Sequence, residues 1–552
     1  MNFLERILDG LRQEPETIVL QEAWEGHTTR ASARELLQWT AHARAFLRSA
    51  GLERGERCVL LAPNGIQWAA VDLAIMAEGI LKVPMYTRQA PEERVKMMQD
   101  CGATLIVCGS PELRDDIQRL WPEAPLIHTL EEVFAAPAAE PKAVADAPVA
   151  LRDEDPVTVI YTSGTSGDSK GVVLTVGNLN HMLSCTMQRM DELMHGLSAQ
   201  ERVFHYLPFC FAGSWILLLS SLTRRSLLTL ATDLDKLAEQ LRVGAPHYFL
   251  NVPILLERIR EGIDRKLSSA FAPIRALYVK ACAAWSRQQA GQTTPLDSMW
   301  LALARVILFR SIKRRISPNL VALICGSAPL SSQTQLFFEM LGITVLQVYG
   351  LTETTAICTM DRPRGKRRAG YVGHAIAGTE MKLGENSEIL VRGPHIFPGY
   401  WQRPEATAEC IRDGWLHTGD QGEVDADGNW RIIGRVKNVI VLSSGHNVAP
   451  DPIEESLQRA VPGAEQVVVV GHERKHLSAI FTGNPLCERI DAVLEELNAA
   501  LPHYKKVRAY HVHPEPFSIE NGFLTANGKL KRQRVLEQLE PEIERMYNGA
   551  GG

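Results

Sequence analysis

Apolar and polar positions along the chain alternate between a helical and a strand period. PEERVKMMQD at 91–100, with proline and acids in its first turn, predicts a helix; Gly102 and the strand-like TLIVC at 104–108 follow it. Up to about residue 130 this alternation predicts a mostly parallel sheet flanked by helices. Residues 134–150 hold eight alanines and three prolines with no amphipathic period and read as an exposed connector between two lobes. A second α/β region is predicted from 155 to about 373, with strand runs at 157–161, 320–325 and 343–348. Within it, 262–318 is helical in composition and carries Arg305, Arg310, Lys313, Arg314 and Arg315. Its apolar residues spread all round a helical wheel from Trp300 to Ile312, so a solvated, core-docked helix pair is expected rather than a membrane-lying helix. From 378 to 434 the texture changes to β hairpins, and past Gly434 another α/β alternation is long enough for a small domain of its own.

Composition narrows the class. With 45% hydrophobic and 22% charged residues over 552 positions, the chain can bury large cores and is not intrinsically disordered. A net charge of only −5 argues against nucleic acid as the main partner, so an anionic ligand must be held by local positive groups. The ten cysteines form no zinc-ligand pattern, and the N-terminal MNFLERILDGLRQEPE has no continuous apolar segment of signal-peptide type. A cytoplasmic protein is expected, with no transmembrane segment; peripheral contact with the inner membrane face and the oligomeric state stay open.

The sharpest local feature is VIYTSGTSGDSKGV at 159–172, an apolar strand entering a loop of hydroxyls and glycines that ends in Lys170. Glycine backbone N–H groups, hydroxyl donors from Thr162, Ser163, Thr165 and Ser166, and the Lys170 charge suit polyphosphate. It is not a Walker loop, because Ser169 stands at the second glycine position and Gly171 at the hydroxyl position. Ser169 also completes a G-x-S-x-G pattern, but it lies well past the strand and is followed by β-branched residues rather than a helix, against a serine-hydrolase elbow. GSAPLS at 326–331 and QVYGLTETT at 347–355 each follow a strand, so both lie at carboxyl ends of parallel strands, where ligands sit in open α/β sheets. Glu353 suits magnesium, Asp420 of GWLHTGD suits vicinal ribose hydroxyls, and Gly434-Arg435-Val436-Lys437 leads into the last domain, near whose end stands TANGK, closing on Lys529.

In this order and spacing the segments resemble the adenylate-forming superfamily of acyl-CoA synthetases over essentially the whole chain. SSGHNVAPDPIEESL and the helical insert most resemble its long-chain fatty acyl-CoA synthetase branch. The resemblance implies an α/β fold with a large N-terminal lobe, 1–434, of two α/β subdomains and a β unit, then a small mobile α+β domain, 435–552. It implies ATP, Mg2+ and coenzyme A, with a fatty acid activated to acyl-AMP and then transferred to the thiol. By motif match, Thr162, Ser163, Gly164, Thr165, Ser166, Gly167 and Lys170 hold the departing phosphates. Gly326, Ser327, Ala328, Tyr349, Gly350 and Leu351 flank adenine, Thr352 and Glu353 address the α-phosphate and magnesium, and Asp420 with Arg435 the ribose. Lys529 bridges carboxylate and α-phosphate, and Lys437 is the hinge. Phe211 stands where many relatives have histidine, and Trp215 matches a position that gates the acyl tunnel in some long-chain members. Asn438 replaces the acidic residue that often follows the hinge lysine. The rivals are an acyl-AMP ligase loading a carrier protein, a serine esterase using Ser169, and a non-catalytic binding protein.

Overall fold

In a computed structural model, residues 1–135, 147–163, 169–197, 199–525 and 528–548 are described. The chain divides into two compact units, one of residues 1–380, 391–416 and 425–430, the other of 381–390, 417–424 and 431 onward.

Two largely parallel sheets organise the first unit. One runs, in spatial order, Leu126–Thr129, Leu105–Cys108, Arg57–Leu61, Leu81–Pro84, Pro156–Ser163 and Ser169–Thr175. Arg57–Leu61 and Leu105–Cys108 within it are buried almost throughout without alternation, as parallel strands covered on both faces are. The other runs His374–Ala375, Thr359–Met360, Thr344–Tyr349, Ala322–Cys325, Tyr248–Asn251, Arg202–His205, Leu227–Ala231, Ile18–Ala23 and Thr28–Ser32. Its middle strands pair in parallel, which sets the carboxyl ends of Ala322–Cys325 and Thr344–Tyr349 side by side.

The sheets are not consecutive halves of the sequence. Ile18–Ala23 pairs with Leu227–Ala231 in the large sheet, while Pro156–Ser163 joins the sheet begun by Arg57–Leu61. The expected connector at 134–150 therefore lies between two strands of one sheet. Phe134 and Ala135 end a helix, Leu130–Ala135, and 136–146 lie outside the described residues. Local periodicity identified the strands but carried no information about these long-range neighbours.

The predicted helix pair at 262–318 is a longer array: Pro253–Ser268, Ala272–Gln289, Pro295–Ala304, a π turn Arg305–Phe309 and Arg310–Ile316. It docks as expected, with Leu277, Tyr278, Leu301, Leu308 and Phe309 buried against Phe249, Leu323 and Phe338. Thr294 caps the helix Pro295–Ala304 with Asp297, whose carboxylate Arg287 also binds. Among the described residues, no helix is long and apolar enough to cross a membrane.

The second unit is built on Ala464–Val470, Leu477–Gly483 and Val507–Val512, covered by Asp451–Ala460 and Cys487–Ala500. The predicted hairpins appear as Glu380–Leu383, Glu388–Arg392, Trp415–Val424 and Trp430–Arg435. The Glu388 carboxylate ties Glu388–Arg392 to its neighbouring strand Trp415–Val424, accepting from Gly419 N–H at 2.9 Å while its other oxygen meets His417 Nδ1 at 2.8 Å.

Candidate active site

The glycine-hydroxyl loop joins two antiparallel strands, Pro156–Ser163 and Ser169–Thr175, with Thr162 opposite Lys170. A Walker loop and a hydrolase elbow both pass from a strand into a helix, so this topology excludes both and leaves Ser169 on a strand. Gly164, Thr165, Ser166 and Gly167 lie outside the described residues, and of Ser163 only the backbone position is described.

A segment far along the chain completes this hairpin. Trp401 N–H donates to the Gly171 carbonyl at 2.7 Å, Val173 N–H donates to that of Gly399 at 3.2 Å, and Tyr400 bridges to Val172. The Tyr400 ring thereby comes to 5.2 Å from the Lys170 ammonium. Its phenol donates to Glu353 Oε1 at 2.8 Å, while Glu353 holds Phe397 N–H through its own carbonyl at 2.9 Å. Burial, reinforced by the Glu353 charge, pushes the Tyr400 phenol far above its ordinary range, so it stays a donor. Lys170 and Glu353, read as separate motifs, thus meet through one tyrosine that sequence reasoning missed. Its available signal was the Pro398-Gly399-Tyr400 turn: Gly399 has φ 154°, and a Cβ there would lie 2.7 Å from Thr407. Tyr400→Phe keeps the ring and removes the donor to Glu353. It is expected to lower kcat/KM for ATP about tenfold with an unchanged melting temperature; an unchanged kcat/KM would remove Tyr400 from the site.

The two predicted adenine segments sit at neighbouring strand ends. Gly326 follows Ala322–Cys325, where a Cβ would approach Val348 Cγ2 to 2.6 Å, and Ser327 beyond it takes φ 73°. Ser327 and Ala328 are exposed, and Tyr349, Gly350 and Leu351 are half-buried. Tyr349 accepts Cys358 N–H at 2.8 Å, and Gly350 has no room for a side chain against the Ala356 and Ile357 backbone. Thr352 and Glu353 lie on a single 3-10 turn, Thr352–Thr354, whose exit residues Thr355 and Ala356 take φ 51° and 97°. Such left-handed backbone at two non-glycine residues is costly and is held here by Thr355 Oγ1 donating 2.7 Å to the His395 carbonyl.

Asp361 holds the strand that leads into this segment, its carboxylate accepting Gln347 N–H at 2.9 Å within Thr344–Tyr349. Burial pushes its carboxyl up to about 7, with the Gln347 bond and Arg367 pulling the other way. An unfolded Asp ionises near 4, so across the window from there to 7 the native chain keeps a proton the unfolded chain has lost. Its contribution to stability therefore falls as pH rises through that window. Asp361→Asn is expected to gain on wild type by up to about 1.4 kcal/mol per pH unit across it, read from denaturant midpoints. Parallel pH curves would contradict the buried proton.

Asp420 and Arg435 belong to the second unit, where Arg435 Nε meets Asp420 Oδ1 at 2.7 Å and the carboxylate is almost wholly buried. Thr418 Oγ1 accepts Asp420 N–H at 3.1 Å within the strand Trp415–Val424. Lys437 sits on the 3-10 turn Val436–Asn438 directly after this strand. Lys529 is exposed on a tight turn closed by Thr525, whose N–H donates to the Lys529 carbonyl at 2.8 Å and whose hydroxyl accepts Lys529 N–H at 3.1 Å. Arg532 anchors the following helix with a two-pronged bond to Glu454, at 2.6 and 2.7 Å.

The two predicted acyl-binding residues differ in their surroundings. Phe211 is half-buried, 5.7 Å from the Tyr86 ring. Trp215 is fully buried, its indole N–H donating to Asp72 Oδ2 at 2.9 Å and its ring 3.5 Å from the Lys82 ammonium. Lys82 and Asp72 form a wholly buried ion pair, and burial lowers the Lys82 ammonium to about 8. Neither partner was singled out from the sequence, because a lone Lys in LKVP and a lone Asp in a helix look like surface residues until the fold buries both.

The AMP-binding enzyme family model matches residues 9–401, and the AMP-binding enzyme C-terminal domain matches 437–551. The chain belongs to the AMP-binding enzyme family. Among relatives, the long-chain-fatty-acid–CoA ligase FadD15 of Mycobacterium bovis is 28% identical, covering 99% of this chain and 97% of its own. The chloroplastic long-chain-fatty-acid–[acyl-carrier-protein] ligase AEE15 of Arabidopsis thaliana is 26% identical over 91% of this chain and 80% of its own. Among solved structures, the O-succinylbenzoate coenzyme A synthetase MenE of Bacillus subtilis, in complex with ATP and magnesium ion, shares the fold with a TM-score of 0.74. It is 19% identical, and the match covers 96% of this AMP-binding enzyme and 99% of that chain.

Proposed function

We propose that this AMP-binding enzyme activates a medium- or long-chain fatty acid with ATP and transfers it to coenzyme A. The observation that carries the reading is the end-to-end similarity to a long-chain-fatty-acid–CoA ligase, spanning 99% of this chain. The meeting of Lys170, Tyr400 and Glu353 beside the paired strand ends supports it chemically.

In the first half-reaction a carboxylate oxygen attacks the α-phosphorus of ATP. A new P–O bond forms, the bond to the β-phosphate oxygen breaks, and pyrophosphate leaves with the electron pair. Lys170, Thr162 and the 163–167 loop neutralise charge gathering on that leaving group. Gly326, Ser327, Ala328, Tyr349, Gly350 and Leu351 hold the adenine between two strand ends, Asp420 with Arg435 takes the ribose hydroxyls, and Thr352 orients the α-phosphate. Glu353, fixed by the Tyr400 phenol, is the carboxylate that would hold Mg2+; one carboxylate suits an ion that also rides on substrate phosphates. When bound, that ion supplies further neutralisation of phosphate charge. Lys529 contacts both the incoming carboxylate and the α-phosphate.

In the second half-reaction the thiolate of coenzyme A attacks the acyl carbonyl and AMP departs with the electron pair of the anhydride oxygen. A hinge at Lys437, between domains 1–434 and 435–552, would withdraw Lys529 and open the thiol path. Phe211 lines the acyl site and Trp215, held by Asp72, backs it. A cytoplasmic setting is in keeping with ten cysteines that form no disulfide.

The similarity to AEE15 favours one second reading, a carrier-protein acceptor. Mass spectrometry of products from a fatty-acid panel separates them. Acyl-CoA in the presence of coenzyme A is expected; accumulation of acyl-AMP that only a phosphopantetheinylated carrier protein discharges would replace coenzyme A as acceptor.

A further inference from the structure

We propose that the outer face of the helical array at 253–316 docks on an anionic lipid bilayer surface. Of the 21 large hydrophobic residues exposed among the described residues, nine lie between Ile254 and Ile307. Five of them, Leu296, Met299, Leu303, Val306 and Ile307, follow one another at helical spacing along Pro295–Ala304 and the π turn after it, and are 41% to 72% exposed. The opposite side of the same helix, with Leu301, Ala304, Leu308 and Phe309, is already filled by the core. This explains an apolar wheel with no polar side: one face serves the fold and the other faces water. In the π turn Arg310 N–H donates to the Arg305 carbonyl, the wider winding that inserts one residue between the two faces. Arg310 and Arg314 then continue the outer stripe as exposed cations.

Charge selects the occupant. Residues 253–316 hold twelve Lys and Arg against four Asp and Glu, while the whole chain is net −5. One of those four, Asp297, is bound to Arg287. A second copy of this face would set two such cationic surfaces against each other, and a nucleic acid would leave the aliphatic stripe without an apolar partner. An anionic bilayer meets both needs, with headgroup phosphates for the arginines and the acyl boundary for the stripe. The stripe is also a contiguous exposed apolar surface of the kind that marks interaction sites.

Co-sedimentation of the full chain with vesicles tests this, using phosphatidylcholine alone and phosphatidylcholine with phosphatidylglycerol, at low and high salt. Binding to the phosphatidylglycerol vesicles is expected, weakening with salt. It should drop about tenfold or more in Val306→Asp with Ile307→Asp, and about tenfold in Arg310→Glu with Arg314→Glu, with unchanged melting temperatures. If the first pair lowers the melting temperature, the arginine pair, which touches no core position, carries the test alone. No preference for anionic vesicles, equal binding by the arginine variant, or a wild-type dimer that the aspartates split without any vesicle binding would each overturn the proposal. The readout is independent of the reaction the enzyme performs.

Discussion

Lys529→Ala is expected to slow fatty-acid-dependent ATP–pyrophosphate exchange by about two to three orders of magnitude, the scale of one lost electrostatic partner in a transition state. The side chain is exposed, on a turn whose geometry rests on Thr525 and on backbone bonds that alanine preserves. The apolar residues on either side of that turn, Phe523, Leu524 and Leu530, pack among Phe517 and Val535 independently of the lysine. The variant should therefore melt with wild type. The loss belongs in kcat, with the KM for ATP nearly unchanged, because Lys529 is assigned to charge that develops only as the carboxylate attacks. Transfer from preformed acyl-AMP to coenzyme A should suffer far less. Exchange at the wild-type rate would remove Lys529 from the reaction; equal losses in both half-reactions would point to a damaged domain.

The second large effect concerns stability. Asp72→Ala is expected to destabilise the first unit by about 3 to 5 kcal/mol, because it strands the Lys82 ammonium in the core and removes the acceptor of the Trp215 indole. Desolvation already disfavours that ammonium even with its partner present. Trp68 and Trp215 lie 5.3 and 3.5 Å from it, and ring faces offset part of a lost carboxylate but not most of it. The double change Asp72→Leu with Lys82→Met should recover most of the loss, since well-packed apolar replacements of buried pairs are often neutral. The first thermal transition of the single and double variants measures this. A single variant that melts with wild type would mean that the pair is not enclosed. The same variants bear on the acyl site: if Trp215 backs it, releasing the indole should alter chain-length preference.

The chemistry was legible in the sequence wherever it lies in contiguous segments. The loop ending in Lys170, the two strand-end segments at 326 and 347, the GWLHTGD segment closing on Asp420 and the TANGK segment closing on Lys529 each needed only local order to be recognised. The structure adds neighbours that no window contains. Tyr400 reaches Lys170 and Glu353 because Gly399 lets the chain turn against Thr407, and Ile18–Ala23 finds Leu227–Ala231 across some two hundred residues. Asp72 and Lys82 are charges ten residues apart whose burial depends on the packing of helices from other parts of the chain. The array at 253–316 shows a further limit. Periodicity revealed apolar residues all round a helix, but only the fold tells which of them the core takes and which remain outside.

That this AMP-binding enzyme joins ATP to a fatty acid as an acyl adenylate is measured by ATP–pyrophosphate exchange with a panel from short to very long fatty acids, with magnesium and without coenzyme A. Exchange that depends on both the fatty acid and magnesium, strongest with medium or long chains, is the expected result. No exchange with any acid of the panel would contradict it.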